Sequence, residues 1–213
     1  MNGGNQRHIN EARWEAVGRL QRGEVPALLF RGDAIAESLD GVQAVLPGAF
    51  NPLHQGHRQM ARVAERWLGV PPVFELSIEN VDKPPLEAAS IVERLAQFDD
   101  RQTICLTRAA TFVQKAELFD DAHFLVGADT IWRIADVRYY GGDELQRDAA
   151  IDQLADRGAR FLVFGRTIHD GFYPLARLEL PRRLRAICRE VLEQDFRLDM
   201  PKSVQHTLNT EVR

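Results

Sequence analysis

The sequence predicts an α/β fold: one three-layer α/β/α domain around a mainly parallel sheet of five to six strands. The chain has 213 residues and an ordinary share of hydrophobic (45%) and charged (27%) residues, which suits a single globular domain. From residue 42 onward, short apolar runs alternate with amphipathic helical segments. Within these runs most apolar residues are consecutive and do not alternate with polar ones, as in parallel strands that are covered on both faces.

The strands are predicted from five apolar runs, and the helices from the segments between them. The predicted strands are residues 42–46, 73–78, 103–107, 123–127 and 161–164. The first helix of the main domain follows His54 and stops at Gly69. Later helices are predicted over residues 86–98 and 112–119, and from Asp143, a natural N-cap, to Gly158.

Residues 1–40 are predicted to form an N-terminal helical extension, which precedes a main domain at residues 41–213. Its helix spans residues 9–22, with Trp14, Val17 and Leu20 at spacings of three. A short apolar run follows at residues 27–30. We expect this extension to dock against the core.

Composition excludes several classes of partner and site. The net charge of −4 does not support a general attraction to nucleic acid. No apolar run has the length of a membrane span, and the polar N-terminus lacks a secretory signal, so a cytoplasmic location is expected. Cys105, in an apparent strand, and Cys188, in an apparent helix, are too far apart in sequence to suggest a disulfide framework or a zinc site.

The most informative segment is residues 47–57, at the junction of the first predicted strand and helix. It carries two histidines, His54 and His57, with Gly56 between them. The N-terminus of a helix offers unpaired N–H groups and partial positive charge to an anion. Gly48 and Gly56 would let a phosphate approach the backbone closely. The segment therefore predicts a site for nucleotide phosphates, although a glycine-rich turn with incidental histidines is the simpler alternative.

These residues resemble the signature G-x-F-x-P-x-H-x-G-H of the nucleotidyltransferase superfamily. The resemblance implies a Rossmann-like fold, catalytic roles for His54 and His57, and a nucleotide-binding loop. The residues that it assigns to nucleotide binding here are Gly48, Ala49, Phe50, Asn51 and Gly56. Class I aminoacyl-tRNA synthetases share the H-x-G-H element, but this chain has no room for their extra domains and no lysine-rich second signature.

A second cluster follows the second predicted strand. Lys83 lies there, in a loop at the same edge of the sheet as the histidines, where a lysine can act as a point charge on phosphate. A lone loop lysine is usually only solvated. The element Asn80-x-x-Lys83 resembles the corresponding loop of nicotinamide-nucleotide adenylyltransferase-like proteins. That resemblance implies a catalytic Lys83 and an acceptor-binding Asn80.

A third cluster follows the third and fourth predicted strands. Asp129 begins a helical turn after Gly127, and its carboxylate either accepts hydrogen bonds from ribose hydroxyls or caps the helix. Gly127-x-Asp129-Thr130 and the tandem tyrosines at 139–140 resemble the same adenylyltransferase-like branch. Nucleotide binding is accordingly predicted for Gly127 and Asp129. Acceptor binding is predicted for Thr107, Arg108 and Trp132.

The end of the chain departs from this pattern. Relatives carry a Ser-Ser-Thr-x-x-Arg element that holds the triphosphate, whereas the best match here is residues 208–213. Thr210 and Arg213 fit and are predicted to bind nucleotide, but Leu208 and Asn209 replace the serines. Because Leu208 has no polar group, it cannot donate a hydrogen bond.

The resemblance as a whole implies transfer of AMP from ATP to nicotinamide or nicotinate mononucleotide, with release of pyrophosphate. Mg²⁺ is expected to be held mainly by the triphosphate, because the sequence shows no carboxylate cluster for a metal cage. Two alternatives stay open: a cytidylyltransferase or another acceptor in the same superfamily, and a nucleotide-binding module without turnover. The expected partners are the nucleotide and a small phosphorylated acceptor. No nucleic acid or membrane partner is expected, and a homo-oligomer is left open.

Overall fold

The computed structural model describes residues 3–168, 171–192 and 194–196 of the chain. Within these ranges the protein is an α/β structure with helices on both faces of one large sheet, so the predicted fold class is confirmed. The helices are α1 (Gly3–Gln21), α2 (Gln55–Leu68), α3 (Ala88–Leu95), α4 (Phe112–Leu118), α5 (Ala128–Ala135), α6 (Glu144–Asp156) and α7 (Arg182–Ala186). The strands are β1 (Ala27–Arg31), β2 (Ala34–Ala36), β3 (Ala44–Pro47), β4 (Val73–Ser77), β5 (Thr103–Thr107), β6 (His123–Gly127), β7 (Arg160–Phe164), β8 (Arg166–Ile168), β9 (Gly171–Tyr173) and β10 (Cys188–Val191).

The main sheet is doubly wound about β3. Its strand order is β10-β7-β6-β3-β4-β5-β1-β2, and the six strands from β10 to β5 are parallel. The chain moves outward from β3 through β4 and β5, and then returns to place β6 on the other side of β3. Such a reversal opens a crevice at the carboxyl ends of the two strands, where doubly wound sheets bind ligands.

The sheet is larger than predicted, because the described residues contribute eight strands to it. The apolar run at residues 27–30 forms β1, which pairs antiparallel with β5, and β2 extends that edge. At the opposite edge, β10 contains Cys188, for which a helix was predicted. Half of β10 is charged, and the pairing of β1 with β5 joins residues distant in the chain, so local sequence did not reveal these strands.

The N-terminal helix packs on the sheet through one narrow face. It begins at Gly3, earlier than predicted, and Val17 and Leu20 are fully buried. Trp14, the first residue of the same spacing, is 45% exposed. Each step of three residues falls about 60° short of a full helical turn, and two such steps carry Trp14 out of the buried face. Residues 1–40 therefore contribute two strands as well as the predicted helix.

The core consists of two apolar layers, one on each face of the sheet. One layer joins α1, α2 and α3 to residues such as Leu46, Phe74 and Leu106. The other joins α4 to α7 to residues such as Val45 and Phe124. Neighbouring residues of one strand thus enter different layers, which explains why the strands are apolar throughout.

The predicted helix ends are largely confirmed. Asp143 caps α6, since its carboxylate accepts hydrogen bonds from Leu145 N (2.8 Å) and Gln146 N (3.3 Å). Gly69 ends α2 in the left-handed conformation, at φ 74°. The helix predicted over residues 86–98 is shorter, because a turn replaces its last residues.

Both cysteines are free thiols held in strands. Burial raises the pKa of Cys188 to about 12, and burial together with the nearby Glu75 carboxylate raises the pKa of Cys105. Neither thiol is a ready nucleophile near neutral pH. As for membranes, none of the helices in the described ranges has both the length and the apolar character needed to cross a bilayer.

A buried ion pair lies between the sheet and α4. Glu75 in β4 is fully buried, and its Oε1 accepts hydrogen bonds from Lys115 Nζ (2.8 Å) and Thr107 Oγ1 (2.6 Å). Lys115 also donates to the carbonyl of Ala109 at 2.7 Å. Among the described residues, Glu75 Oε2 has no hydrogen-bond partner. Lys115 is thus the counter-charge on which the buried carboxylate depends.

Lys115→Met is expected to lower the free energy of unfolding by about 3–5 kcal/mol, because it leaves a buried carboxylate without its partner. The double variant Glu75→Gln/Lys115→Met should lose less than the single variant. Urea denaturation measures both. Lys83→Met, at an exposed position, is the matched control and should leave stability unchanged. A Lys115→Met protein within about 1 kcal/mol of wild type would contradict this account.

Candidate active site

The predicted motif lies at the crevice where the strand order reverses. Strand β3 ends at Pro47, and residues 48–54 lead from it into α2. Across the crevice, β6 ends at Gly127 and runs directly into α5. The H-x-G-H segment and the Gly127–Asp129 segment, far apart in sequence, therefore flank the same switch point.

The two histidines are built into the N-terminus of α2. His54 is the N-cap residue, and its Nδ1 accepts a hydrogen bond from Gly56 N at 3.1 Å. His57, three residues later, accepts from His54 N through its own Nδ1 at 3.3 Å. The two side chains thus form a reciprocal capping box, a device usually made by Ser or Thr with Glu or Gln.

This capping arrangement determines which ring nitrogen can donate. Because Nδ1 of each ring accepts a backbone N–H, each neutral ring carries its proton on Nε2. The rings of His54 and His57 stack, with centroids 3.8 Å apart and planes 22° apart. Both side chains are half-buried rather than enclosed in apolar packing. Nε2 is therefore the nitrogen through which each neutral ring can donate.

Phe50 supports the histidine pair from below. Its ring is 1% exposed, meets the ring of His57 at 5.1 Å, and packs edge-on against Phe74 and Phe98. The backbone at Phe50 has φ 47°, a left-handed conformation that is uncommon outside glycine. The predicted nucleotide-binding role of Phe50 is thus available only to its backbone.

Gly48 is required by the packing of the Phe50 ring. A Cβ at this position would lie 2.6 Å from Cε1 of Phe50, so the ring of Phe50 occupies the space that a side chain would need. The N–H of Gly48 donates to the carbonyl of Glu75 at 2.9 Å. Gly48 therefore admits an aromatic ring, and its approach to a phosphate stays a prediction.

Two residues that the sequence analysis missed hold the loop between β3 and α2. Arg94 Nη1 donates to the carbonyl of Ala49 at 2.8 Å. Gln97 Nε2 donates to the carbonyl of Phe50 at 2.9 Å, and its Oε1 accepts from Leu53 N at 2.8 Å. Because the partners lie more than forty residues apart in sequence, no local pattern could have revealed these contacts.

The loop that carries Lys83 and Asn80 is exposed. A hydrogen bond from Leu86 N to the carbonyl of Ile78 (2.8 Å) closes its base. Asn80 Oδ1 accepts from Asp82 N at 2.8 Å, which forms a local Asx turn. Lys83 lies near the tip. The catalytic role of Lys83 and the acceptor role of Asn80 stay predictions.

Thr107 and Arg108, predicted to bind the acceptor, serve the scaffold. Thr107 is fully buried, donates to Glu75, and accepts from Ala109 N at 3.2 Å. Arg108 donates to Glu79 at 2.6 Å, and its guanidinium lies where a side chain at Gly23 would be. The side chain of Thr107 therefore cannot reach an open cleft, and Arg108 is directed toward the segment that leads into β1.

The Gly127–Asp129 segment forms the other side of the crevice. Gly127 is the N-cap of α5, and Asp129 lies in the first turn, so Asp129 is not the capping residue. A Cβ on Gly127 would lie 2.5 Å from Asp129 Oδ1. The carboxylate of Asp129 therefore folds back over the end of β6, the edge at which a ligand would bind.

Trp132 lies further along α5 and is 45% exposed. The guanidinium of Arg138 is 5.7 Å from the centre of its ring. Trp132 lines an open groove of about 690 Å³ with α6 and residues 178–181, and neither histidine lines that groove. Trp132 and the histidine pair therefore do not line the same groove, and the acceptor role of Trp132 stays a prediction.

His123 is the first residue of β6, so it lies at the amino end of that strand, whereas the crevice lies at the carboxyl end. Burial, chiefly, and the nearby Arg160 and Arg189 lower its pKa. Thr210 and Arg213 lie outside the described residues.

Gly48→Ala is expected to destabilise the protein by about 1–3 kcal/mol, because the new methyl group and the buried Phe50 ring need the same space. Thermal and urea unfolding measure the effect. Gly18→Ala is the control, since only the flexible end of Arg22 lies near that position in α1. The control should be neutral or stabilising by up to about 1 kcal/mol. Equal stability of the two variants would contradict the assigned packing.

Comparison of the sequence with protein-family models and with curated proteins gives no match. The resemblance to nucleotidyltransferases therefore rests on the motif residues alone and stays a prediction. The geometry adds a stacked imidazole pair at the switch point of a doubly wound sheet, with a carboxylate across the crevice.

Proposed function

We propose that the protein is a nucleotidyltransferase that transfers AMP from ATP to a phosphorylated acceptor, nicotinamide or nicotinate mononucleotide, and releases pyrophosphate. The observation that carries the proposal is the stacked pair His54 and His57. Each ring is held through Nδ1 so that its Nε2 donates, at the junction of β3 and α2. The expected cytoplasmic location is part of this proposal.

In the proposed reaction the acceptor phosphate is already an anion near neutral pH, so no general base is needed to create the nucleophile. An acceptor oxygen forms a bond to the α-phosphorus, the bond from that phosphorus to the bridging oxygen breaks, and pyrophosphate leaves with the electron pair. The protein contributes alignment and neutralisation of charge, which is the usual logic of transfer at phosphorus. His54 and His57 donate to the phosphate oxygens, and Lys83 adds positive charge.

Other groups complete the proposed site. Asp129 accepts hydrogen bonds from ribose hydroxyls, and Thr210 and Arg213 assist at the triphosphate. No group of three or more His, Cys, Asp or Glu side chains is placed to hold a metal ion in the described part of the chain. When bound, Mg²⁺ lowers the charge of the triphosphate, whose oxygens hold it together with water.

A second candidate is a nucleotide-binding module without turnover. The altered terminal element favours it, because Leu208 replaces a residue type that can donate to the triphosphate. A cytidylyltransferase is a variant of the main proposal within the same chemistry. Thermal shifts with a panel of nucleoside triphosphates distinguish ATP from CTP preference.

Incubation with ATP, Mg²⁺ and either mononucleotide should release pyrophosphate, and His57→Ala should reduce kcat on the order of 10²–10³-fold by removing one donor. His123→Ala, at the amino end of β6 and away from the crevice, is the matched control and should retain activity. Pyrophosphate release measures both variants.

Two results would overturn parts of this proposal. ATP binding without turnover by any mononucleotide, in a folded protein, would favour the binding module. Equal activity of wild type and the His57→Ala variant would exclude the imidazole pair as the source of catalysis.

A further inference from the structure

We propose that Gln97, assisted by Arg94, is a positioning residue that turns two backbone N–H groups, those of Phe50 and Asn51, toward the phosphate site. This inference rests on the proposed function, because it assumes a phosphate at the crevice. Neither Arg94 nor Gln97 belongs to the motif residues. Both act on the loop only through its backbone.

The orientation follows from the planarity of the peptide unit. In a trans peptide the C=O of one residue and the N–H of the next point in opposite directions. The carbonyl of Ala49 points to Arg94, and the carbonyl of Phe50 points to Gln97. The N–H groups of Phe50 and Asn51 therefore point away from both side chains.

That direction leads to the crevice. Helix α3 connects β4 to β5 and packs with Ile91 and Leu95 in the layer over these strands. Arg94 lies in α3 and Gln97 just after it, on the β4 side of β3. A direction away from Arg94 and Gln97 therefore leads away from the β4 side of β3, and the strand on the other side of β3 is β6, which ends just before α5.

The two N–H groups share the lack of a protein acceptor but differ in exposure, since Phe50 is buried and Asn51 is exposed. Within the described residues, neither Phe50 N nor Asn51 N donates to a protein acceptor. Phe50, at φ 47°, has the left-handed backbone that curves successive N–H groups into an anion-binding concavity. Leu53 N, in contrast, is taken up by Gln97 Oε1. Gln97 therefore takes up the N–H of Leu53, while the N–H groups of Phe50 and Asn51 keep no acceptor in the described part of the chain.

Gln97 is itself held by the neighbouring helix. Its carbonyl accepts from Arg58 Nη2 at 3.3 Å, and Arg58 follows His57 in α2. The next residue, Phe98, packs on the ring of Phe50 at 5.3 Å. One short segment therefore supports the loop backbone, the buried ring and the helix that carries the histidines.

A glutamine is needed because its side chain donates one hydrogen bond to the loop and accepts another from it. Glu at this position can still accept from Leu53 N, but it cannot donate to the carbonyl of Phe50. Gln97→Glu thus removes one bond at nearly constant shape. Arg94→Met removes only the bond to Ala49 and serves as a second, milder variant. Gln102→Leu is the matched control, because Gln102 bonds to Arg58 and Asp99 but not to the loop.

The test compares a phosphate-bearing probe with a phosphate-free one. Calorimetric titration with α,β-methylene-ATP should show about tenfold or greater weakening in Gln97→Glu, which corresponds to the loss of well-oriented charge-assisted hydrogen bonds. Adenosine should bind with less than about a twofold change, and Gln102→Leu should resemble wild type. Arg94→Met should fall between them.

A direct readout is available because Ala49-Phe50 is the only Ala-Phe pair in the chain. Labelling Ala with ¹³C at the carbonyl and Phe with ¹⁵N gives a single correlated amide signal, that of Phe50. The signal should shift on binding of α,β-methylene-ATP but not of adenosine, and Gln97→Glu should diminish the shift. A merely structural role of Gln97 would not link this shift to the phosphates.

The outcomes separate the inference from the proposed function. If wild type binds the analogue but Gln97→Glu binds it equally well, or the Phe50 signal does not move, the positioning role is wrong and the proposed function stands. If wild type binds no nucleotide, the proposed function fails and this inference fails with it.

Discussion

The candidate site depends on one interaction, the reciprocal capping of α2 by His54 and His57. A helix must satisfy the unpaired N–H groups of its first turn, and here the two imidazoles do so through Nδ1. The same bonds orient both rings and place the proton of each neutral ring on Nε2. The rings stack with their centroids 3.8 Å apart. The hydrogen bonds that cap the N-terminus of α2 are therefore the same ones that orient the Nε2 donors. A change in either ring alters both the cap and the donors.

Most of what shapes the site never meets a ligand. Phe50 places its ring in the space left open by Gly48, and that ring supports His57. The ion pair of Glu75 and Lys115 anchors β4 and the loop after β5, while Gln97 holds the loop before α2. The ion pair is buried and the hydrogen bonds of Gln97 are part-buried, so these polar contacts fix the geometry of the scaffold beneath the crevice.

The agreement between sequence and structure is uneven for physical reasons. Five of the six parallel strands, β3 to β7, were predicted closely, because strands covered on both faces must be apolar throughout. Strand β10 was missed because two of its four residues, Arg189 and Glu190, are charged. Strand β1 was recognised only as an apolar run, because its pairing with β5 joins residues that are distant in the chain. Thr107 was assigned to the acceptor from its place at a strand end, but its hydroxyl satisfies Glu75. Its local sequence holds no sign of a carboxylate thirty-two residues away.

The sequence by itself determined the fold class, the strand-to-helix junction and the identity of the imidazole pair, because these follow from local hydrophobic patterns and from a contiguous motif. Tertiary structure alone decided that the Gly127–Asp129 segment faces that junction, that Gly48 is needed for a ring, and that Arg94 and Gln97 hold the loop. These features join residues that are distant in the chain. Hydrogen bonds and packing act through space, so only the folded arrangement reveals them.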